Sequence, residues 1–372
     1  MKLSIIVPCY NVERFVERAV GSCKIKSCNC ALEIICVDDC STDGTLSRIE
    51  KLAEQNEYVR VVRHQVNKKL LSARRSGVAV ATGDYIVHLD ADDQFVDGAL
   101  DAIVNKLQQA PVDVLFFGSA PVVFDMSKKG DEEIRQRVKL LNKVLIPPRK
   151  CDSKDVMLNS LFITRNFATT VWGKVWRTDI VRKCMDIIPE GPLMLAEDAV
   201  QCIISMKYAN TVSTLDIVGY LYTIDVGVTV NEVFCQRGIK QRFDDLFGIL
   251  CAMKEFRRHI DNGDAYLKYL RAFEYSVCRD FGIFCRPYLN SYMGCGDYGS
   301  INNEHIDIVA MWYGDKAYIQ GLFVQTKWFW NLYRHWLRFK GFISRDVLCV
   351  TNNKKASRYI KKMIKNDLQL VI

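Results

Sequence analysis

The chain has 372 residues, 49% of them hydrophobic, with 15 cysteines and a formal net charge of +8. That apolar content over this length can bury one large α/β domain with an accessory part, which excludes a disordered chain. No run of about 18 uncharged apolar residues occurs, and the apolar start breaks at Pro8, so neither a membrane-spanning helix nor a secretion signal is expected and the cytosol is the expected location.

The first predicted unit is a strand over residues 3–8 that opens at Pro8-Cys9-Tyr10-Asn11 into a helix over about 12–22. A second strand, 33–37, ends in Asp38-Asp39-Cys40-Ser41-Thr42-Asp43-Gly44-Thr45 before a helix at 46–55. Within that loop Asp43 is the expected helix cap. Asp38 and Asp39 sit earlier, at the strand's end, free to accept hydrogen bonds from a nucleoside. A third strand, 59–63, leads through Asn67 into a helix carrying Ser72-Ala73-Arg74-Arg75-Ser76-Gly77. Arg74 offers a fixed guanidinium near the same sheet edge, suited to a uracil carbonyl or a phosphate.

The fourth strand, 85–89, is apolar enough to be central and ends in Asp90-Ala91-Asp92-Asp93. Clustered acids beyond the carboxyl end of a strand suit a hard cation, Mg2+ or Mn2+, completed by water and a diphosphate. The competing reading is a polar turn in which Asp92 or Asp93 caps the next helix. His88, within this strand, reads as a core or pocket-wall residue rather than a base.

Taken together in this order and spacing, Ser4 to Asn11, Val37 to Thr45, the Arg74 helix and Asp90-Ala91-Asp92 resemble the nucleotide-binding half of the inverting family 2 glycosyltransferases. The resemblance is strong over residues 3–117 and extends with weaker motifs to about 230. It implies an A-type glycosyltransferase fold: an α/β, Rossmann-like, mostly parallel central sheet flanked by helices, here with a helical C-terminal extension. It implies metal-dependent inverting transfer of a sugar from a nucleotide-diphosphate sugar, usually a UDP-sugar, to an acceptor hydroxyl. A glycan or lipid-linked saccharide in cell-surface polysaccharide synthesis is the expected acceptor. Pro8 and Tyr10 would lie against the nucleoside with Asp38 beside it, Asp39 would meet the base, and Arg74 would be near the uracil or diphosphate. Asp90 would face the ribose or metal, and Asp92 would bind the Mn2+ or Mg2+ that neutralises the leaving diphosphate. One departure is that the glycine common shortly after Asn67 is missing from Asn67-Lys68-Lys69-Leu70-Leu71, where the lysines read as solvating a helix start.

The resemblance also implies a base from a Glu-Asp pair, which makes Asp198 the candidate and Glu197 the less favoured one, at the start of a helix over about 198–206. On the residues alone, that pair could equally complement the helix dipole. Trp172-Gly173-Lys174-Val175-Trp176-Arg177 is similar to the segment preceding the base, which gives Lys174 as a diphosphate or acceptor contact. Trp172 and Trp176 could stack on sugars or belong to the core. Tyr220-Leu221-Tyr222 matches a tyrosine-rich strand of the family, without the polar residues that often follow.

The expected organisation is a glycosyltransferase domain over 1–230, with a nucleotide-binding half at 1–117 and an acceptor-side half at 118–230, then a helical region over 231–372. Helices are predicted at 236–260 and 265–284. Residues 327–372 hold eleven Lys or Arg against two Asp, enough to account for the whole net charge. At 100° per residue, Lys327, Arg334, Arg338 and Arg345 fall within about 20° of one line, opposite Phe329, Leu332, Trp336, Phe339 and Ile343. This basic aromatic helix, 327–345, could dock peripherally on the inner face of an anionic membrane, which favours a lipid-linked acceptor, or pack on the protein body. No nucleic-acid module accompanies the charge, so no nucleic-acid partner is expected. The cysteines lack paired CxxC spacing; Cys23, Cys28 and Cys30 come nearest, and buried free thiols are expected rather than zinc. The alternative to an active enzyme is a catalytically inactive nucleotide-sugar-binding scaffold or subunit, against which Asp92 and Asp198 both argue.

Overall fold

A computed structural model describes residues 1–26, 30–125, 127, 131–190, 196–226, 248–274 and 276–277. The chain divides into two units, 1–270 and 271–372, and the first holds the sheet and the helices around it. The predicted basic helix at 327–345 lies outside the described residues, as does the greater part of the predicted C-terminal region. Of the predicted helices, 248–257 and 267–270 are helical within the first unit.

Eight strands form one sheet: β1 (Lys2–Cys9), β2 (Ala31–Asp38), β3 (Val59–Arg63), β4 (Tyr85–His88), β5 (Gln94–Phe95), β6 (Val114–Val122), β7 (Lys174–Arg177) and β8 (Val212–Thr223). Their order is β3-β2-β1-β4-β7-β6-β8-β5. Pairs β1/β2, β2/β3, β1/β4 and β6/β8 are parallel, whereas β7 runs antiparallel between β4 and β6. The carboxyl ends of β1, β4, β6 and β8 therefore open on the same edge. Strand order reverses between β1 and β4, the crevice where open α/β sheets take ligands.

The central strands are apolar on both faces, and Leu3, Ile5, Ile6, Val7, Ile34, Ile35, Ile86 and Val87 are fully buried, as expected where helices cover both sides of a parallel sheet. The α-helices described up to residue 226 are α1 (Val16–Gly21), α2 (Thr45–Gln55), α3 (Leu70–Val80), α4 (Ala99–Gln109), α5 (Glu132–Leu141), α6 (Lys154–Leu158), α7 (Thr178–Ile187) and α8 (Glu197–Tyr208). α3 lies flush on β1 because residue 77 is glycine: a Cβ there would come within 2.5 Å of Ile6 Cγ2. The first helix is shorter than predicted, since 12–15 form a turn closed by Phe15 N–H on the Val12 carbonyl at 2.9 Å. Asp43 accepts from Thr45 N–H at 3.0 Å, one residue ahead of the Gly44 cap position. The cap residue is therefore Gly44 and not Asp43 as expected, although Asp43 still takes the first N–H of the helix.

Glu33 ties the amino-terminal edge of the sheet together. Its carboxylate accepts from Ser4 Oγ at 2.5 Å, Thr82 N–H at 2.5 Å, Thr82 Oγ1 at 2.9 Å and Gly83 N–H at 3.1 Å, with Lys2 Nζ 3.0 Å away. Burial alone would raise its pKa, but these donors outweigh burial and bring it down to about 2. A carboxyl lowered in the folded state stabilises it at all pH above the unfolded value. That contribution fades as pH falls from about 4.5 toward 2. In Glu33→Gln the acid-side slope of unfolding free energy should flatten across that window, with about 2–3 kcal/mol lost at neutral pH. Denaturant melts at a series of pH values check it, and parallel pH profiles for the two proteins would refute the assignment.

Candidate active site

The site is built on the turn after β4. Asp90 N–H donates to Tyr220 Oη at 3.1 Å, and Tyr220 donates in turn to Asp93 Oδ2 at 2.8 Å. Asp93, fully buried, also accepts from Thr223 N–H at 2.7 Å. The third acid of the run is thus an anchor to β8. Neither Asp92 nor Asp93 caps the next helix, whose N-terminal cap is Gly98. The Asp92 carbonyl accepts from Thr223 Oγ1 at 2.7 Å and Arg18 Nη2 at 2.5 Å. With its backbone held this way, the Asp92 carboxylate is left half-buried at the cleft floor, and burial, then the nearby Asp90 charge, raises its pKa to about 6.

Arg74 comes up from α3 beneath this turn. Its Nη2 donates to Asp90 Oδ1 at 2.9 Å and its Nη1 to Asp198 Oδ1, with Glu197 Oε1 3.7 Å away. Burial opposes the guanidinium's charge, but Asp198, Asp90 and Glu197 more than compensate and hold it protonated. The cation is 1% exposed, whereas the Asp90 and Asp198 side chains are 25% and 21% exposed. The carboxylates therefore face the cleft and Arg74 lies under them. Asp198 stands in the first turn of α8, its second oxygen taking Val171 N–H at 3.3 Å. A carboxylate has about four lone-pair positions, so two bonds leave capacity for an acceptor hydroxyl. Burial, reinforced by Asp198, raises Glu197 to about 8, which makes it a neutral neighbour at physiological pH.

His88 is fully buried behind Arg74, its Nε2 2.9 Å from Gln201 Nε2. Burial and then the Arg74 charge depress its pKa well below the usual histidine range. It belongs to the core, one of the two places expected for it.

Several sequence expectations need correction. Asp38 and Asp39 stand at the end of β2, but neither carboxylate is free. Asp38 is buried and accepts from Ser41 N–H at 3.3 Å. Asp39 accepts from Lys68 N–H at 2.8 Å and Lys69 N–H at 2.7 Å and pairs with His64 Nδ1 at 2.7 Å; His64 Nε2 reaches Ser76 Oγ of α3 at 2.8 Å. The two carboxylates thus hold the turn after β2 and the segment that leads into α3. Asp39 also restrains Lys69, whose φ of 74° falls where glycine is favoured. That residue lies in the segment where the missing glycine would be expected. Lys68 and Lys69 do precede α3, at a helix start.

Lys174 is the plainest miss. It is fully buried, Nζ donating to the Ala168 carbonyl at 3.0 Å and the Thr170 carbonyl at 2.5 Å, with the Phe167 ring centre 4.8 Å away. Burial lowers its pKa to about 8. It staples the 168–174 loop that carries Val171 to Asp198 and touches no open cleft. Trp172 stacks on Tyr220 at 4.9 Å and on Tyr222 at 5.0 Å, and Trp176 is fully buried, so both belong to the core. Pro8 is buried in β1, and Tyr10 beyond it is 46% exposed at the crevice mouth.

Residues 4–155 match the family model Glycosyl transferase family 2. The chain is 28% identical over 220 residues to the uncharacterized glycosyltransferase EpsJ of Bacillus subtilis, a match covering 59% of this chain and 60% of that protein. It is 34% identical over 187 residues to the uncharacterized glycosyltransferase YibD of Escherichia coli, covering 49% and 50%. The chain thus spans 60% or less of the length of these two relatives. Among solved structures, that of S. aureus TarS 1–349 in complex with UDP-GlcNAc superposes with a TM-score of 0.54 at 24% identity, covering 73% of this chain and 71% of that one. The class that sheet and comparisons define is the α/β fold of the A-type glycosyltransferases. In particular, the chain has the family 2 glycosyltransferase fold, with its family 2 domain at residues 4–155.

Proposed function

We propose that this chain transfers a sugar, with inversion, from a nucleotide-diphosphate sugar of the UDP type to a hydroxyl of a saccharide or lipid-linked acceptor in cell-surface polysaccharide synthesis. The observation that carries the reading is the convergence on Arg74 of Asp90 from the β4 turn and Asp198 from α8, at the β1/β4 crevice. Asp198 takes the proton of the acceptor hydroxyl. That oxygen bonds to the anomeric carbon as the bond from that carbon to the diphosphate oxygen breaks on the opposite face. Tyr10 lines the nucleoside subsite, backed by Pro8.

The chemistry of the donor set fits a hard divalent cation, Mn2+ or Mg2+. Asp90 and Asp198 share Arg74, and burial, then the Asp90 charge beside it, raises the pKa of Asp92. Among the described residues no group of three or more metal-ligating side chains occurs, so Asp92 and Asp90 would hold the ion with the diphosphate completing its shell. When bound, the ion would stabilise charge growing on the leaving diphosphate. The basic, aromatic pattern of 327–345 supports a peripheral membrane contact and, through it, a lipid-linked acceptor.

The test is a panel of nucleotide sugars assayed for hydrolysis and transfer with Mg2+ or Mn2+, with and without chelator, on the native protein and Asp92→Asn. UDP-sugars should be turned over, and Asp92→Asn should lose about 10²-fold or more while keeping its fold, since a half-buried carboxylate is replaced by an isostere. Full activity of that variant, or of the native protein in excess chelator, sinks the metal-assisted reading.

A further inference from the structure

Lys174 is a buried cation that no step of the transfer uses. Its Nζ donates to the Ala168 carbonyl at 3.0 Å, the Thr170 carbonyl at 2.5 Å and Thr170 Oγ1 at 3.5 Å. The Phe167 and Phe116 ring centres lie 4.8 and 5.9 Å from it. Among the described residues it makes no ion pair. An ammonium has three donors, and here all three are taken inside the protein. What this charge does, it does through the loop it holds.

That loop is pinned by backbone at both ends, Ala168 N–H donating to the Val144 carbonyl at 2.8 Å and Phe117 N–H to the Gly173 carbonyl at 3.0 Å. Between the pins the ammonium gathers the Ala168 and Thr170 carbonyls, and Trp176 Nε1 donates to the Val171 carbonyl at 3.4 Å. The group so presented is the Val171 N–H, which reaches Asp198 Oδ2 at 3.3 Å while Arg74 holds Oδ1. The terminal torsion of an aspartate is soft and roughly two-fold, so a carboxylate held by one oxygen swings about its Cβ–Cγ bond. Bonds to both oxygens, one from α3 and one from this loop, fix its plane. Burial lowers the pKa of Lys174 to about 8, against the pull of Cys202 and Asp198 on α8, so it is still a cation at neutral pH. A charged donor is what draws several carbonyls to one point, and burying it is costly unless they converge.

We propose that Lys174 is a positioning residue for Asp198: by drawing in the Ala168 and Thr170 carbonyls it sets the Val171 N–H, and through it the plane of the carboxylate that takes the proton. The inference rests on the glycosyl-transfer reading, in which Asp198 is the base, and adds to it the residue that aims that base. Lys174 touches no substrate in this role.

The experiment is a kinetic double-mutant cycle on the full-length chain, Lys174→Met against Asp198→Asn, read by hydrolysis of the UDP-sugar that the panel selects, with Mg2+ present. Water then stands where the acceptor hydroxyl would, so the assay needs no identified acceptor. In the native background Lys174→Met should lower kcat at least about tenfold while KM for the UDP-sugar and UDP affinity stay within about threefold. In the Asp198→Asn background the same change should cost less than about threefold, because no base is left to aim. Lys174→Gln, whose amide still donates to a carbonyl, should lose less than Lys174→Met, and it carries the cycle if denaturant melts show that the apolar variant does not fold. An equal loss in both backgrounds marks a general structural effect and overturns the proposal, as does native kcat in the Lys174 variants. A raised KM with kcat unchanged also overturns it, since Lys174 would then serve donor binding. No turnover of any nucleotide sugar by the native chain removes the glycosyl-transfer reading and the role of Lys174 with it; native turnover without coupling to Asp198 removes that role alone.

Discussion

Asp198→Asn is expected to lower turnover by about 10²–10⁴ while UDP affinity stays within a few-fold of native. Proton transfer in the transition state needs a group that accepts a proton in place, and an amide of the same shape cannot. The substituted amide would still be able to take Val171 N–H with its carbonyl oxygen, so the 171 loop keeps its anchor. Arg74 would keep Asp90 at 2.9 Å and Glu197 at 3.7 Å, and the guanidinium would not be stranded. The effect should therefore appear in kcat and scarcely in donor binding, measured by transfer kinetics beside a UDP titration. A collapse of UDP affinity would make Asp198 a nucleotide ligand, and turnover within threefold of native would remove it as the base. Glu197→Gln is the internal contrast: with the carboxyl at about 8 it is largely neutral at pH 7, and its amide should cost far less.

Most of the β1–β4 half of the sheet is legible in the sequence because its signals are local. The strand predicted at 59–63 is β3, Val59–Arg63; β1, β2 and β4 differ from expectation by one or two residues at their ends. Buried parallel strands read as continuous apolar runs, and the turns that leave them concentrate acids and hydroxyls. The positions of Asp90, Asp92 and Arg74 follow from that pattern and from the family resemblance.

What pattern does not supply is the state of each side chain once packed. Asp38, Asp39 and Asp92 look alike in sequence, yet two are used by neighbouring backbone N–H groups and one is left at the floor. For Asp39 the difference depends on where the 64–69 loop returns, a contact some thirty positions distant in the case of Lys69; for Asp38 it lies in the fold of its own turn, through Ser41. Lys174 misleads for a related reason. A lysine in a strand-like segment suggests an exposed cation, and only the packed 168–172 loop shows carbonyls curled around its ammonium group. Arg18, Tyr220 and Thr223 escape sequence reading as positioning residues because their targets are main-chain atoms of the β4 turn, which no side-chain motif encodes. The tyrosine-rich strand is visible in the sequence, but its link to Asp93 spans 127 positions.

Arg74→Leu is expected to destabilise the fold by about 3–5 kcal/mol, the cost of breaking a buried pair and leaving its partners uncompensated. Arg74 is 1% exposed, and it is the side-chain cation bonded to Asp90 and Asp198 and closest to Glu197. Leucine would fill part of the space but leave three carboxyl groups crowded with no counter-charge. Arg74→Lys separates charge from geometry. Its single ammonium keeps a cation in place, so the loss of stability should be smaller, but it cannot present two parallel N–H groups to Asp90 and Asp198 at once. That variant should fold and still lose turnover by about tenfold or more, because Asp90 and Asp198 would no longer be held by one rigid plane. The double variant Arg74→Leu/Asp198→Asn should be more stable than the sum of the two single losses predicts, with a coupling of about 1–3 kcal/mol, since removing one acid relieves part of the repulsion. Denaturant melts of the four proteins measure the cycle. Additive losses, or an Arg74→Leu protein as stable as native, would mean that Arg74 is not what holds Asp90 and Asp198 together.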